Sequence, residues 1–258
     1  MEFYPGFSIS VKRDTMDFLY GEGVCGPTPE KRTLDQIRPS LMDPGCTGPE
    51  YVYSIVMDVF KKEHREDLLR RGLLYGAVTY QKGRLGREPI RSQGHIHAVS
   101  PSCGASTCEV YEIWDGEACI YMQEFGGDDA GNCYAVYGKA GDVIIVPPGW
   151  VHATVNASPD KPMTFGAWCV RDYGFDYTDV RRHKGIAFFP VFENARLVWE
   201  KNENYRSGKL TEKTARTYPD FGLSSCESIY RQYEANPQRF RFVTNPQEFA
   251  ELWENYVP

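Results

Sequence analysis

The chain has 258 residues, 41% hydrophobic and 25% charged, enough to bury a sizeable core without disulfides or structural metals. A formal net charge of −6 and the lack of any long Lys/Arg run argue against a nucleic-acid footprint. No stretch approaches the roughly 20 apolar residues of a membrane-crossing helix, and the start MEFYPGFSIS lacks the basic and apolar regions of an export signal, so a cytoplasmic protein with neither nucleic-acid nor membrane partners is expected.

In chain order, residues 1–50 read as an N-terminal arm with strands, 51–190 as a β-barrel and 191–258 as an extension packing on the barrel or on a partner subunit. Short apolar runs predict strands at 51–59, 74–80, 94–99, 109–114, 118–123, 132–136, 143–146, 152–156 and 163–170. Asp115-Gly116, Gly126-Gly127-Asp128-Asp129, Ala140-Gly141-Asp142 and Ser158-Pro159-Asp160 supply the turns between them. Val143-Ile144-Ile145-Val146 is apolar on both faces, as in a doubly covered sheet. The expected fold class is all-β, a double-sheet barrel of jelly-roll type with short flanking helices and a C-terminal extension. One helix is expected over 61–71 and another over 247–256, the second capped by Asn245 with Pro246 at its first position. The span 206–240 is polar and turn-rich and reads as part of an appendage. None of the eight cysteines forms a CxxC pair, and free thiols are expected, with a Cys103–Cys108 loop disulfide the weaker alternative.

The most informative residues are His95-Ile96-His97, then Glu109, then His152 after Pro147-Pro148-Gly149-Trp150-Val151. Histidines two apart on a strand project to one face. With a carboxylate and a third imidazole from other strands they make an N/N/N/O set that holds one divalent metal and leaves positions open for water or substrate. Three of the chain's five histidines fall in this pattern. His64 and His183 lie in charged stretches and are expected to be exposed.

This two-part motif resembles the cupin superfamily, whose motifs contribute two His and a Glu, then a His, on a double-stranded β-helix. The interval from His97 to Glu109 is longer than cupins usually show, so residues 100–108 read as an inserted loop, suited to covering a substrate or simply tolerated at the surface. Across residues 32–205 the chain is similar to the cupin-type glucose-6-phosphate isomerases of archaea and some bacteria. The resemblance is carried by Gly83-Arg84-Leu85-Gly86-Arg87-Glu88, Ser92-Gln93-Gly94-His95-Ile96-His97, Glu109-Val110-Tyr111, the run Pro147 to Asn156, and Asp172-Tyr173-Gly174-Phe175-Asp176-Tyr177.

That resemblance implies interconversion of glucose 6-phosphate and fructose 6-phosphate, with a proton moved between C1 and C2 through a metal-stabilised enediolate. It implies one divalent metal per subunit, Fe2+ first, with Mn2+, Zn2+ and Ni2+ also suited. Glu109 becomes both ligand and general base, with a metal-assisted hydride shift as the competing mechanism. Ser92 and the Gly94 amide match phosphate-contacting positions, Tyr111 should face the cavity, and Tyr177 matches a closing tyrosine. Thr79 is aligned with a phosphate-contacting threonine, in a register where Val78 could stand instead. The family also implies a homodimer. Three positions depart from its pattern: Phe175 stands where histidine is common, Gly149 where an aromatic is common, and Cys169 where tyrosine is frequent. On chemistry alone, a His3Glu dioxygenase or a non-catalytic sugar-binding cupin remain as alternatives.

Overall fold

Side chains that alternate along a strand give each sheet two faces, and in the central strands of this barrel both faces are covered. The computed structural model describes residues 3–258. Its barrel strands, in chain order, are β1 (Glu30–Thr33), β2 (Tyr51–Met57), β3 (Leu73–Tyr80), β4 (Glu109–Asp115), β5 (Glu117–Gln123), β6 (Asp129–Lys139), β7 (Val143–Val146), β8 (Val151–Asn156), β9 (Met163–Val170) and β10 (Ser207–Thr214). One sheet runs β7-β4-β9-β3-β2-β1 and the other β8-β5-β6-β10. Their pairings are antiparallel except β6 with β10. The chain changes sheets between β4 and β5 at the Asp115-Gly116 corner and again between β7 and β8 through the Pro147-Pro148-Gly149-Trp150 turn. Gly116 takes φ +77°, and a Cβ there would lie 2.4 Å from the Pro162 carbonyl oxygen, so the corner requires glycine. This is the expected all-β jelly roll, the double-stranded β-helix of cupins.

The long sheet shows how the core is divided. All eight residues of β3 are buried. Leu73, Tyr75 and Ala77 face outward into one cluster, while Val78 and Tyr80 face the barrel interior with Tyr111, Ile113 and Phe165. The outward face is covered by Phe7 from the N-terminal arm and by Tyr230, Tyr233, Phe240 and Phe242 from the C-terminal segment. Trp168 sits at its centre, stacked on Tyr230 at 5.4 Å between ring centroids and edge-on to Tyr75 at 4.5 Å. Truncating such a side chain costs about 3–5 kcal/mol.

The C-terminal residues are thus more integrated than their polar texture suggests. Within 206–240, β10 extends the short sheet, and the helix Ile229–Ala235 buries Ile229, Tyr230 and Tyr233. A few well-spaced apolar residues anchor the segment, and the polar majority masks them. The helix expected over 247–256 is split into a 3-10 turn Pro246–Phe249 and a short α-helix Ala250–Glu254. Asn245 makes no side-chain cap, because the preceding helix Arg241–Thr244 ends on it. The helix expected over 61–71 is preceded by a strand pair at Phe60–Lys61 and a 3-10 turn, and spans Arg65–Arg71. His183 is buried rather than exposed, stacked on Tyr205 at 4.1 Å with Nε2 3.1 Å from Asp128. All eight cysteines are free, and among the described residues no helix is long and apolar enough to cross a membrane.

One buried carboxyl ties the extension to the barrel. Glu112 on β4 accepts the Ile229 backbone N–H at 2.7 Å and the Trp114 indole N–H at 3.2 Å. Burial nonetheless pushes it up to about 8, against those two donors. A carboxyl whose folded pKa lies above its unfolded one binds its proton more tightly when folded, so stability falls as pH rises between the two values. Glu112→Gln should therefore flatten the loss of urea resistance between pH 5 and pH 8 relative to the natural chain; parallel pH profiles would show that Glu112 does not titrate in this window.

Candidate metal centre

The four motif residues meet at one end of the barrel interior. His95 and His152 exchange backbone N–H···O bonds at 3.0 and 2.9 Å. His97 lies on a two-residue strand, Ile96–His97, paired with Phe175–Asp176. The strand expected over 94–99 is therefore shorter. Gly94 bends the chain at φ +91°, and a Cβ there would press to 2.7 Å from Ile186 Cγ2, so the segment touches β8 through His95 and the post-barrel strand through His97. The i, i+2 spacing still places the two rings together, with centroids 5.4 Å apart. Glu109 opens β4, and His152 on β8 points inward between the outward-facing Val151 and Ala153.

Proton placement shows what this cluster requires. His97 Nδ1 is 3.0 Å from the Thr107 carbonyl, and His152 Nδ1 is 3.2 Å from the Trp150 carbonyl. Carbonyls only accept, so both rings carry a proton on Nδ1, and in the neutral imidazole this leaves Nε2 a bare lone pair. Both Nε2 atoms lie 3.3 Å from Glu109 Oε2, itself an acceptor. His95 Nε2 is buried with no hydrogen-bond partner. The four side chains offer ligand atoms within 4.8 Å of one another. Burial and then the neighbouring His152 and His97 hold His95 well below the usual histidine range; burial also lowers His152. Neutral imidazoles and an ionised carboxylate converging without a proton between them are a repulsive set, and a divalent cation resolves it. The residues present fit such an ion.

His95, His97 and Glu109 line a cavity together with Tyr53, Val78, Ser92, Tyr111, Phe175 and Tyr177. The Tyr111 hydroxyl donates to Glu109 Oε2 at 2.9 Å. Ser92 Oγ accepts the Thr154 N–H at 3.0 Å. Thr79 is a correction to the expected substrate contacts: it pairs with Ser54 and Thr164, hydrogen-bonds Thr164 Oγ1 at 2.9 Å, and is absent from the lining. Period-two alternation turns Val78 inward instead. Gly94 supplies the bend before His95 and is not a lining residue either. Of the three departures, Phe175 and Cys169 face the cavity, with Phe175 4.4 Å from the His95 ring, whereas Gly149 sits in the exposed turn. Asp172 accepts from Ser100 and Ser102, and Asp176 from the Thr178 amide, so both serve as loop caps.

Some site residues carry no motif of their own. Tyr53 lines the cavity, and Arg181 lies over Tyr177 at 4.9 Å while donating at 3.1 Å to Oε1 of Gln93, a lining residue from the first histidine motif. The Gly86-Arg87-Glu88 element acts through a buried ion pair. Glu88 binds Arg91 at 2.7 Å, and Arg91 in turn donates to the carbonyls of Ser40 and Ser92. That pair fixes the backbone just before the first histidine.

An inward-facing His3Glu cluster in a jelly roll defines a cupin-type metal-site architecture. A family model described as Glucose-6-phosphate isomerase (GPI) matches residues 42–207. The glucose-6-phosphate isomerase of Thermococcus litoralis is 28% identical over 152 residues, covering 59% of this chain and 73% of the relative. That of Pyrococcus furiosus is also 28% identical, over 59% and 74%. Among solved structures, vicilin from Capsicum annuum gives a TM-score of 0.35 at 13% identity over 48% of this chain. Oxalate oxidase gives 0.32 at 15% over 42%. The chain spans 30% and 46% of those two. This chain belongs to the glucose-6-phosphate isomerase family, and its enzyme class is isomerase.

Each ligand removed from the cluster should weaken metal binding by at least about tenfold. His95→Ala and His152→Ala are expected to lower metal per chain after dialysis, measured by plasma mass spectrometry; full occupancy in both would mean the ligands are others.

Proposed function

We propose that this chain interconverts glucose 6-phosphate and fructose 6-phosphate with one divalent ion, Fe2+ first, held by His95, His97, Glu109 and His152. The observation that carries this is the cation-demanding set of three imidazole nitrogens and one carboxylate beside a cavity, in a member of this family. When bound, the ion supplies Lewis acidity toward the sugar O1 and O2. Glu109 moves the proton between C1 and C2. Its Oε2 takes the Tyr111 hydroxyl, which leaves Oε1 to face the carbon.

Ser92, Tyr111 and Tyr177 contact the sugar phosphate, and Arg181, outside the lining and over the Tyr177 ring, supplies positive charge behind it. The Phe175 ring cannot exchange protons, so it takes no part in opening the sugar ring. All eight cysteines are free, which suits a reducing, cytoplasmic setting. A homodimer is the proposed assembly, supported by the unpaired edge of β1 and the exposed Tyr51 ring on its neighbour β2.

In an oxygen-free assay, chelation should abolish isomerisation and Fe2+ or Mn2+ should restore it; activity unchanged after full demetallation would refute the proposal. Arg181→Met should raise KM for glucose 6-phosphate about tenfold, as for loss of one charge-assisted bond, with kcat little altered. An unchanged KM would move the phosphate away from Arg181.

A further inference from the structure

The segment between His97 and Glu109 is longer than the motif needs, and its base is bonded to both halves of the ligand set. Ser106 Oγ donates to the His97 carbonyl at 2.7 Å and accepts the Gly149 N–H at 3.0 Å. The adjacent Thr107 carbonyl takes the His97 Nδ1 proton. His97 is therefore gripped twice by this segment, through its ring and through its backbone. Gly149 belongs to the turn that launches His152, so Ser106 joins the two halves of the ligand set with one hydroxyl.

The remainder of the segment is fastened away from the cavity. Ser100 N–H binds the Ala105 carbonyl, and Ser100 Oγ donates to Asp172 at 2.6 Å. The Ser102 amide also donates to Asp172, at 2.8 Å, and Gln247 of the C-terminal segment donates to the Cys103 carbonyl. Ser100, Thr107 and Cys108 are buried, while Pro101 and Ser102 at the tip are exposed. None of residues 98–108 is among those lining the cavity, which removes the ground for a substrate cover.

We propose that the inserted segment is a brace for the metal ligands, with Ser106 as its positioning residue: the Ser106 hydroxyl sets the distance between the His97 strand and the His152 turn, while the neighbouring Thr107 carbonyl holds the His97 tautomer. This rests on the four-residue cluster being a metal site, though not on which sugar is turned over. Hydrogen bonds beyond the ligands orient them, and their loss typically weakens metal binding about 10- to 100-fold.

The test is the dissociation constant for Mn2+ of the full chain, by competition with a chromophoric chelator and without substrate. Ser106→Ala should weaken binding about tenfold with an unchanged melting temperature, and Ser106→Thr, which keeps the hydroxyl, should restore most of it. Ser102→Ala at the tip should leave binding unchanged. Equal affinity of Ser106→Ala and the natural chain would overturn the proposal, as would equal weakening in all three variants. Because no turnover is read, a chain that binds Mn2+ in this pattern yet isomerises nothing would refute the proposed reaction and leave the brace standing.

Discussion

Two imidazole lone pairs aimed at a carboxylate, and a third imidazole whose Nε2 has no partner, share a space a few ångströms across, and the rest of the site is arranged to keep them there. The rings cannot relieve the conflict by turning over, because the Thr107 and Trp150 carbonyls hold the Nδ1 protons of His97 and His152. Nor does burial favour the imidazolium that would neutralise Glu109. The four side chains, a set fit to hold a divalent ion, are fixed in place by hydrogen-bonding groups outside the cluster.

Rigidity around the cluster comes from both sheets and from what lies outside them. β4 places Glu109 and Tyr111 inward while Glu112 faces out to the helix Ile229–Ala235. β9 likewise turns Phe165 and Cys169 toward the cavity and Trp168 toward the aromatic cluster. The C-terminal segment, beyond the part of the chain that the family model matches, thus backs the sheet from which half the site projects. The Glu88–Arg91 pair plays the same part on the other side, gripping the backbone ahead of His95.

The barrel and the metal cluster were legible in the sequence for one reason: alternation and i, i+2 spacing are local consequences of strand geometry. What the sequence concealed depended on long-range packing. Thr79 and Val78 differ by a single register step, which only the pairing of β3 with β2 and β9 decides. His183 looked exposed among charged neighbours, but Tyr205 covers it from 22 residues further along the chain. The helix around Tyr230 was masked because a handful of aromatic residues does the anchoring within a polar stretch. The inserted segment read by composition as either a substrate cover or a tolerated surface loop, whereas its serines bond backward into the site and into Asp172.

X-ray absorption at the metal edge of protein reconstituted with Fe2+ under anaerobic conditions tests the central claim most directly. The account predicts one ion per chain with three imidazole nitrogens and carboxylate oxygen in its inner sphere, and a spectrum that changes on adding fructose 6-phosphate. An ion without histidine ligands, or a spectrum indifferent to both the His152→Ala substitution and the sugar phosphate, would contradict it.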